Sequence, residues 1–154
     1  MTATIGKPAP DFTLPTDGAG EVKLSELKGK KVVLYFYPKD LTPGCTTESC
    51  DFRDRYRDFS GLDAEIIGIS KDSIARHDKF KQKYDLPFPL ASDETDRVCE
   101  AYDVWKEKSM YGKKYMGIER STFLIDAKGV VRGEWRKVKV TGHADEVLMA
   151  AKEI

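Results

Sequence analysis

The run KVVLYFY at residues 31–37 constrains the fold of this chain more than any other segment. After Lys31 its residues are apolar, and most of them are β-branched or aromatic, which is typical of a strand that is covered on both faces. Such a strand lies inside a sheet, because an edge or a solvated face would leave apolar side chains in water. We therefore predict that residues 31–37 form the central strand of the fold.

A loop and a helix are predicted to follow this strand. The loop is PKDL at residues 38–41, and Thr42 and Pro43 then supply an N-cap and the proline that favours a first helical position. Three aromatic residues recur at helical spacing: Phe52, Tyr56 and Phe59. The pattern ends near Gly61, so Cys45 is predicted to lie in the first turn of this helix.

The other predicted elements alternate strands and helices. In chain order they are an N-terminal hairpin within residues 9–27, a strand at 64–70, a helix at 74–84, a helical stretch within 94–104, a hairpin of 120–126 and 130–136, and a helix from about Thr141. Parallel βαβ units followed by an antiparallel hairpin give an α/β chain with a mixed central sheet and helices on both faces. This order is typical of a thioredoxin-like fold with an N-terminal β-hairpin.

Composition restricts the compartment and the partners. The chain has 154 residues without repeats or linkers, which predicts a single domain over residues 1–154. Lysine plus arginine and aspartate plus glutamate number 26 each, so no basic field exists to gather nucleic acid. Because no apolar run approaches about 18 residues and no signal peptide is evident, we expect a cytoplasmic protein that does not bind membranes. The odd number of cysteines, 3, indicates free or redox-active thiols.

Cys45 is the residue with the best prospect of reactivity. A thiol reacts as its thiolate, and a free cysteine with a pKa of about 8.5 is only slightly ionised at neutral pH. The first turn of a helix offers unpaired N–H groups and the positive end of the helix dipole, which both stabilise an anion. A lone intracellular cysteine is nevertheless more often a small buried hydrophobe, so the neighbouring residues have to decide.

Those neighbours resemble a known family. The segment PKDLTPGCTTESC is similar to the active-site segment of peroxiredoxins, particularly the bacterioferritin comigratory protein or peroxiredoxin Q subfamily. The segments APDFTL, VVLYFYP, IIGIS and GIERSTFLID also occur in the order and rough spacing of that family, so the resemblance covers nearly the whole chain. It implies a thiol-dependent peroxidase that reduces hydrogen peroxide and small organic hydroperoxides.

The resemblance also implies the catalytic residues. Cys45 would be the peroxidatic thiolate, and Cys50 would be the cysteine that resolves its oxidised form. Thr42 would align the peroxide through its hydroxyl, although the same side chain is predicted as an N-cap. Pro38 would shield the thiolate from water, or merely terminate the strand. Arg120 would direct its guanidinium at the sulfur and stabilise charge on the leaving oxygen.

Oxidation of Cys45 to a sulfenic acid requires a second thiol for resolution. Residues five apart on a helix have Cα atoms about 8 to 9 Å apart, whereas a disulfide requires less than roughly 7 Å. The first turns must therefore unwind before Cys45 and Cys50 can pair. Cys99, next to Val98 on a predicted helix, is interpreted as a small core residue, with a role as an alternative resolver left open.

The resemblance implies an external electron donor and no bound cofactor. The expected donor is thioredoxin, or glutaredoxin as in some relatives. Peroxiredoxins that are prone to overoxidation carry a GGLG loop and a C-terminal YF-bearing helix, and neither is evident in this sequence. We therefore expect a monomer that resists overoxidation.

Alternative functions make different demands on the sequence. Zinc could use side chains of five residues: Cys45, Cys50, Cys99, His77 and His143. Their spacing is unsuitable and the histidines are predicted on solvated helix faces, so we expect no metal. A thioredoxin-like disulfide oxidoreductase would need a C-x-x-C pair, which is absent. A redox sensor or binding module could use a contact surface of Trp105, Tyr111 and Tyr115, and only turnover distinguishes it from an enzyme.

Overall fold

The computed structural model describes residues 4–154, and its centre is a 7-stranded mixed sheet. The strands are β1 (Thr13–Thr16), β2 (Gly20–Lys23), β3 (Lys31–Phe36), β4 (Ala64–Ser70), β5 (Leu90–Ser92), β6 (Trp105–Met110), β7 (Lys113–Ile118), β8 (Ser121–Ile125) and β9 (Val131–Arg136). Their order in the large sheet is β2, β1, β5, β4, β3, β8, β9, and β6 pairs with β7 in a separate sheet. Strands β3, β4 and β5 are parallel, and β8 runs antiparallel to β3.

The helices are α1 (Pro43–Asp54), α2 (Tyr56–Ser60), α3 (Ile74–Tyr84), α4 (Arg97–Ala101) and α5 (His143–Lys152). Short 3-10 turns occupy Asp17–Ala19 and Leu24–Leu27. The hydroxyl of Ser73 caps α3 by accepting a hydrogen bond from the amide of Arg76 at 3.3 Å. Within residues 4–154, no helix has the length and apolar character needed to cross a membrane.

Strand β3 separates two apolar cores, as its composition predicts. Alternate side chains point to opposite faces of a strand, so Val33 and Tyr35 pack against α1, α2, α3 and α5, whereas Leu34 and Phe36 pack against α4 and the N-terminal hairpin. Residues 33–37 are 0% exposed, which confirms the prediction of a central strand covered on both faces. The predicted mixed sheet with helices on both faces is also confirmed.

The helix predicted from Thr42 to about Gly61 is wrong in one respect, because it breaks at Arg55. The backbone of Arg55 leaves the helical region at φ −108° and ψ 7°. Its guanidinium donates to the carbonyl of Asp51 at 2.8 Å, so the Arg55 amide bonds to the carbonyl of Phe52 instead. Two further bonds join the same guanidinium to the carboxylate of Asp145 in α5. A contact between distant segments therefore ends α1 earlier than local periodicity predicts.

The hairpin formed by β6 and β7 was not predicted. Its sequence, WKEKSMYGKKYM, is rich in lysine, and its apolar alternation is too weak to predict strands. Only its aromatic residues were considered, as a possible contact surface. Trp105 packs partly against the core at the base of the hairpin, and Tyr111 is 98% exposed at its turn. The hairpin thus extends from the body of the molecule next to the segment that carries Arg120.

Candidate active site

The pairing of β3 with β8 brings two distant segments together. Phe36, the last residue of β3, lies opposite Ser121, the first residue of β8. Because the two strands are antiparallel, the chain leaving β3 towards α1 and the chain entering β8 meet at the same edge of the sheet. Cys45 follows β3 and Arg120 directly precedes β8, so the topology alone places both at this edge.

Cys45 lies in the first turn of α1, as predicted, and is only 2% exposed. Its Sγ accepts a hydrogen bond from Nη2 of Arg120 at 3.2 Å. Gly44 allows this approach, because a Cβ at that position would lie 3.3 Å from the same nitrogen. The sulfur therefore sits between the positive end of a helix and a guanidinium, and both favour a negative charge on it.

Glu48 fixes the orientation of Arg120. One oxygen of its carboxylate accepts from Nη1 of Arg120 at 2.6 Å, while Nη2 of the same guanidinium faces Cys45. Burial alone would lower the pKa of Arg120, but Glu48 and Cys45 outweigh that effect and raise it. The guanidinium therefore remains positively charged, and its planar fork is held by two partners at once.

Glu48 is itself in an unfavourable place for a charge. The side chain is 1% exposed, and Oε2 has no hydrogen-bond partner among the described residues. Burial raises the pKa of Glu48 from 4.5 to about 7, against the opposing effect of Arg120. The carboxyl group of Glu48 can therefore be protonated near neutral pH. When it is protonated, the positive charge of Arg120 interacts mainly with the sulfur of Cys45.

Thr42 and Pro38 flank the loop that leads into α1. Thr42 occupies the N-cap position, as predicted, but its hydroxyl donates to the carbonyl of Lys39 at 2.8 Å rather than accepting from the helix amides. A hydroxyl that donates one hydrogen bond keeps lone pairs with which it can accept another. Pro38 is half-buried at the end of the β3 segment.

The other cysteines occupy different environments. Cys50 is half-buried in α1, the same helix as Cys45, and burial raises its pKa. Cys99 is 0% exposed in α4, where burial and the nearby Asp93 raise its pKa. Its interpretation as a small core residue is confirmed. All of these cysteines are unpaired in the structure.

Both histidines are buried, so their prediction on solvated helix faces is wrong. His77 in α3 is 0% exposed and bonds to Asp40, and His143 at the start of α5 is 4% exposed, with Nε2 at 2.8 Å from the hydroxyl of Thr122. Burial lowers the pKa of His143 to about 4. Each helix packs this face on the sheet, which the helical periodicity did not indicate. Among residues 4–154, no group of metal-binding side chains is arranged to hold an ion.

The middle of the β6–β7 hairpin lies near the same site. Burial, and to a smaller extent the positive charge of Arg120, lower the pKa of Lys108. Lys108 lies opposite Tyr115 in the register of the hairpin. The edge of the site is therefore basic and partly aromatic.

These contacts define a chemistry. A sulfur held by a guanidinium and a helix N-terminus can act as a nucleophile, and the same guanidinium can stabilise charge on an oxygen that leaves. The family model described as the AhpC/TSA family matches residues 5–134. The chain is a peroxiredoxin of this family.

Similar peroxiredoxins cover the whole chain. Peroxiredoxin Bcp of Bacillus subtilis strain 168 is 58% identical over 154 residues, which is 100% of this chain and 98% of the relative. Peroxiredoxin Q of Xanthomonas campestris superposes with a TM-score of 0.91 at 48% identity, covering 98% and 97% of the two chains. A mutant of Xylella fastidiosa PrxQ gives a TM-score of 0.94 at 41% identity, covering 99% and 98%. The resemblance, the thioredoxin-like fold and the thiol-peroxidase activity of the family are thus confirmed.

Sequence reasoning missed Glu48 in this peroxiredoxin. Residues three apart on a helix share a face, so a glutamate three positions after Cys45 is directed to the same side as the sulfur. This spacing, together with the arginine that the resemblance implies, could have indicated that Glu48 lies beside Cys45 and Arg120. The burial that raises the pKa of Glu48 could not be inferred from sequence.

Replacement of Glu48 by glutamine is expected to remove a pH dependence of stability. Because the folded-state pKa of Glu48, about 7, lies above its usual 4.5, the folded chain holds a proton that the unfolded chain releases. The associated stabilisation is complete below pH 4.5 and is lost as the pH rises through 7. Between about pH 4 and pH 8 the wild type should lose about 3 kcal/mol relative to Glu48→Gln.

Urea unfolding across this pH range measures the difference. Both proteins should carry Cys45→Ser, so that the sulfur beside Arg120 cannot oxidise during the measurement. Glu107→Gln is the matched control, since Glu107 is exposed and its replacement should change the unfolding free energy little at any pH. If the unfolding free energies of Cys45→Ser and of Cys45→Ser with Glu48→Gln changed in parallel with pH, Glu48 would not hold a proton in the folded protein.

Proposed function

We propose that this peroxiredoxin reduces hydrogen peroxide and small organic hydroperoxides, with the thiolate of Cys45 as the attacking group. The observation that carries the proposal is the 3.2 Å contact between Nη2 of Arg120 and Sγ of Cys45. The sulfur forms a bond to one peroxide oxygen while the O–O bond breaks. The other oxygen takes up a proton and leaves as water or an alcohol, and Cys45 becomes a sulfenic acid.

The neighbouring residues support this step in different ways. Arg120 stabilises the thiolate before the reaction and the charge on the leaving oxygen during it. Thr42 accepts the O–H of the peroxide with a free lone pair, because its own proton is donated to Lys39. Pro38 has no N–H and keeps water away from the loop. Together they align the O–O bond with the sulfur.

Cys50 is the proposed resolving cysteine. Its thiol attacks the sulfenic sulfur of Cys45, an S–S bond forms, and the hydroxyl leaves as water. Both cysteines lie in one continuous helix, so the N-terminal turns of α1 have to unwind first. The break at Arg55 separates α1 from α2, which supports unwinding that leaves α2 in place.

Thioredoxin is the proposed reductant, with glutaredoxin as the alternative donor. The intramolecular disulfide has to be reduced by the dithiol of another protein. The partly exposed Cys50 supplies the sulfur that this dithiol can reach. We also propose a cytoplasmic monomer in which the whole chain, residues 1–154, is a single domain. A structure of the Xanthomonas campestris bacterioferritin comigratory protein is described in terms of its alkyl peroxide reduction activity, which supports organic hydroperoxides as substrates here.

Cys50→Ser is expected to stop recycling while leaving the first reaction intact. Peroxide-dependent NADPH oxidation with thioredoxin and thioredoxin reductase should fall by at least about tenfold, because the sulfenic acid then lacks its resolving thiol. One equivalent of peroxide should still be consumed, and mass spectrometry should detect oxidised Cys45 without a disulfide.

Cys99→Ser is the matched control for this experiment. Cys99 is a buried cysteine in another helix, and its replacement should leave turnover close to that of the wild type. Full turnover by Cys50→Ser together with loss in Cys99→Ser would identify Cys99 as the resolver instead. Reduction of insulin disulfides without peroxide consumption would favour a disulfide oxidoreductase.

A further inference from the structure

Asp40 is bonded through all of its polar atoms, although it lies in a loop. It is 0% exposed, and its N–H donates to Oδ2 of Asp72 at 2.7 Å, while its carbonyl accepts from Nη2 of Arg76 at 2.9 Å. The hydroxyl of Tyr37 donates to Oδ1 at 2.5 Å, and Nδ1 of His77 lies 2.6 Å from Oδ2. Loop backbone is usually solvated, so such complete burial of a loop aspartate calls for a reason.

His77 holds this aspartate against the body of the protein. Its Nε2 lies 3.0 Å from the carbonyl oxygen of Ala91 in β5. A carbonyl only accepts hydrogen bonds, so Nε2 must carry a proton, and Nδ1 and Oδ2 of Asp40 share a further one. The ring therefore joins β5 to the loop through two directed hydrogen bonds in a water-free environment, where such bonds are strong.

The residue after Asp40 shows why the loop needs to be held. Leu41 adopts φ 65°, in the left-handed region that residues with a side chain rarely occupy. Such a conformation persists only where surrounding contacts impose it. Thr42 follows immediately as the N-cap of α1. The hydrogen bonds to Asp40 therefore determine where α1 begins and, with it, the position of Cys45.

We propose that His77 is a positioning residue for the peroxidase reaction. Through Asp40 it holds the loop at residues 38–42, and thereby keeps Thr42 and Cys45 in register with Arg120. The partners of Asp40 lie in the β3 segment, in α3 and in the turn before it, all outside α1. The loop therefore stays fixed while α1 unwinds and returns Cys45 to the same place when α1 rewinds. This inference rests on the proposed role of Cys45.

Two replacements of His77 separate its contacts. The amide of glutamine can reach Ala91 but not Asp40, whereas the amide of asparagine lies where Nδ1 was and can still donate to Asp40. Two rates are measured for each reduced protein: oxidation by hydrogen peroxide, followed by tryptophan fluorescence, and alkylation of Cys45 by iodoacetamide. Peroxide attack needs the aligned loop and Arg120, whereas alkylation needs only an accessible thiolate.

His77→Gln is expected to slow the peroxide reaction at least about tenfold while alkylation changes by less than about threefold, and His77→Asn should recover much of the peroxide rate. Equal loss of both rates, or equal loss in both variants, would overturn the proposal and leave His77 a merely structural residue. An unreactive Cys45 in the wild type would instead refute the proposed function itself.

A milder pair of variants gives the answer if the His77 proteins fail to fold. Tyr37→Phe removes the hydroxyl that donates to Asp40, and Tyr102→Phe removes a comparable buried hydroxyl that donates to the carbonyl of Pro10 at 2.7 Å. Only Tyr37→Phe should slow the peroxide reaction relative to alkylation. The same ratio of rates in both variants would contradict a role for the Asp40 contacts.

Discussion

Replacement of Cys45 by serine is expected to abolish peroxide reduction, with a loss of about 10⁴-fold or more in the rate of peroxide consumption. A serine hydroxyl at this position remains protonated and cannot form a sulfenic acid, so neither the first reaction nor the disulfide can follow. The side chain is nearly isosteric, and Cys45 is 2% exposed among packed residues, so the fold should be retained.

The measurement is peroxide consumption with thioredoxin, thioredoxin reductase and NADPH, together with mass spectrometry of the protein after exposure to peroxide. Cys99→Ser makes the same chemical change at a buried cysteine in another helix, α4, and should keep its activity. Peroxide turnover that survives in Cys45→Ser would mean that another group performs the attack.

Arg120→Gln is expected to slow the reaction of Cys45 with hydrogen peroxide by about 10² to 10³-fold, which is typical for loss of one preorganised charge-stabilising donor. The variant loses the positive charge beside the sulfur at 3.2 Å and the ion pair with Glu48 at 2.6 Å. Without that partner, burial would raise the pKa of Glu48 further. Arg120→Lys should be intermediate, because an ammonium cannot face Cys45 and Glu48 in one planar arrangement.

Stopped-flow measurement of the peroxide reaction tests this prediction. Arg132→Gln is the control, because Arg132 pairs with Asp126 near the opposite end of the sheet. Its replacement should change the rate of the peroxide reaction by less than about twofold. A rate for Arg120→Gln within about threefold of the wild type would remove Arg120 from the proposed mechanism.

Much of the fold could be predicted because local pattern and tertiary environment agree. The apolar run of β3 is buried on both faces, and Thr42 and Pro43 do mark the start of α1. Helix α3 has the predicted bounds, Ile74–Tyr84, because a serine cap and an apolar stripe are encoded next to each other.

Other features could not be predicted, because they depend on contacts between distant segments. The break at Arg55 follows from Asp145, 90 residues away, and the burial of His77 follows from Asp40, 37 residues away. The β6–β7 hairpin has a lysine-rich sequence in which the apolar alternation of a buried strand is weak.

The candidate site shows the same division. The helix position made Cys45 a candidate, but its role and those of Thr42, Pro38 and Arg120 were implied by the family resemblance, which alone singled out Arg120 among many arginines. Glu48 lay within reach of helical spacing, but its burial and its altered pKa are properties of the assembled core.

The wide separation of Cys45 and Arg120 along the chain ties chemical reactivity to folding. The two residues are 75 positions apart, and they meet only after β8 has paired with β3. A nascent chain that has not yet added β8 carries Cys45 without its guanidinium. On the proposed mechanism we expect its reaction with peroxide to begin only when β8 has joined the sheet, and a variant that loosens this pairing to lose the peroxide reaction before it unfolds.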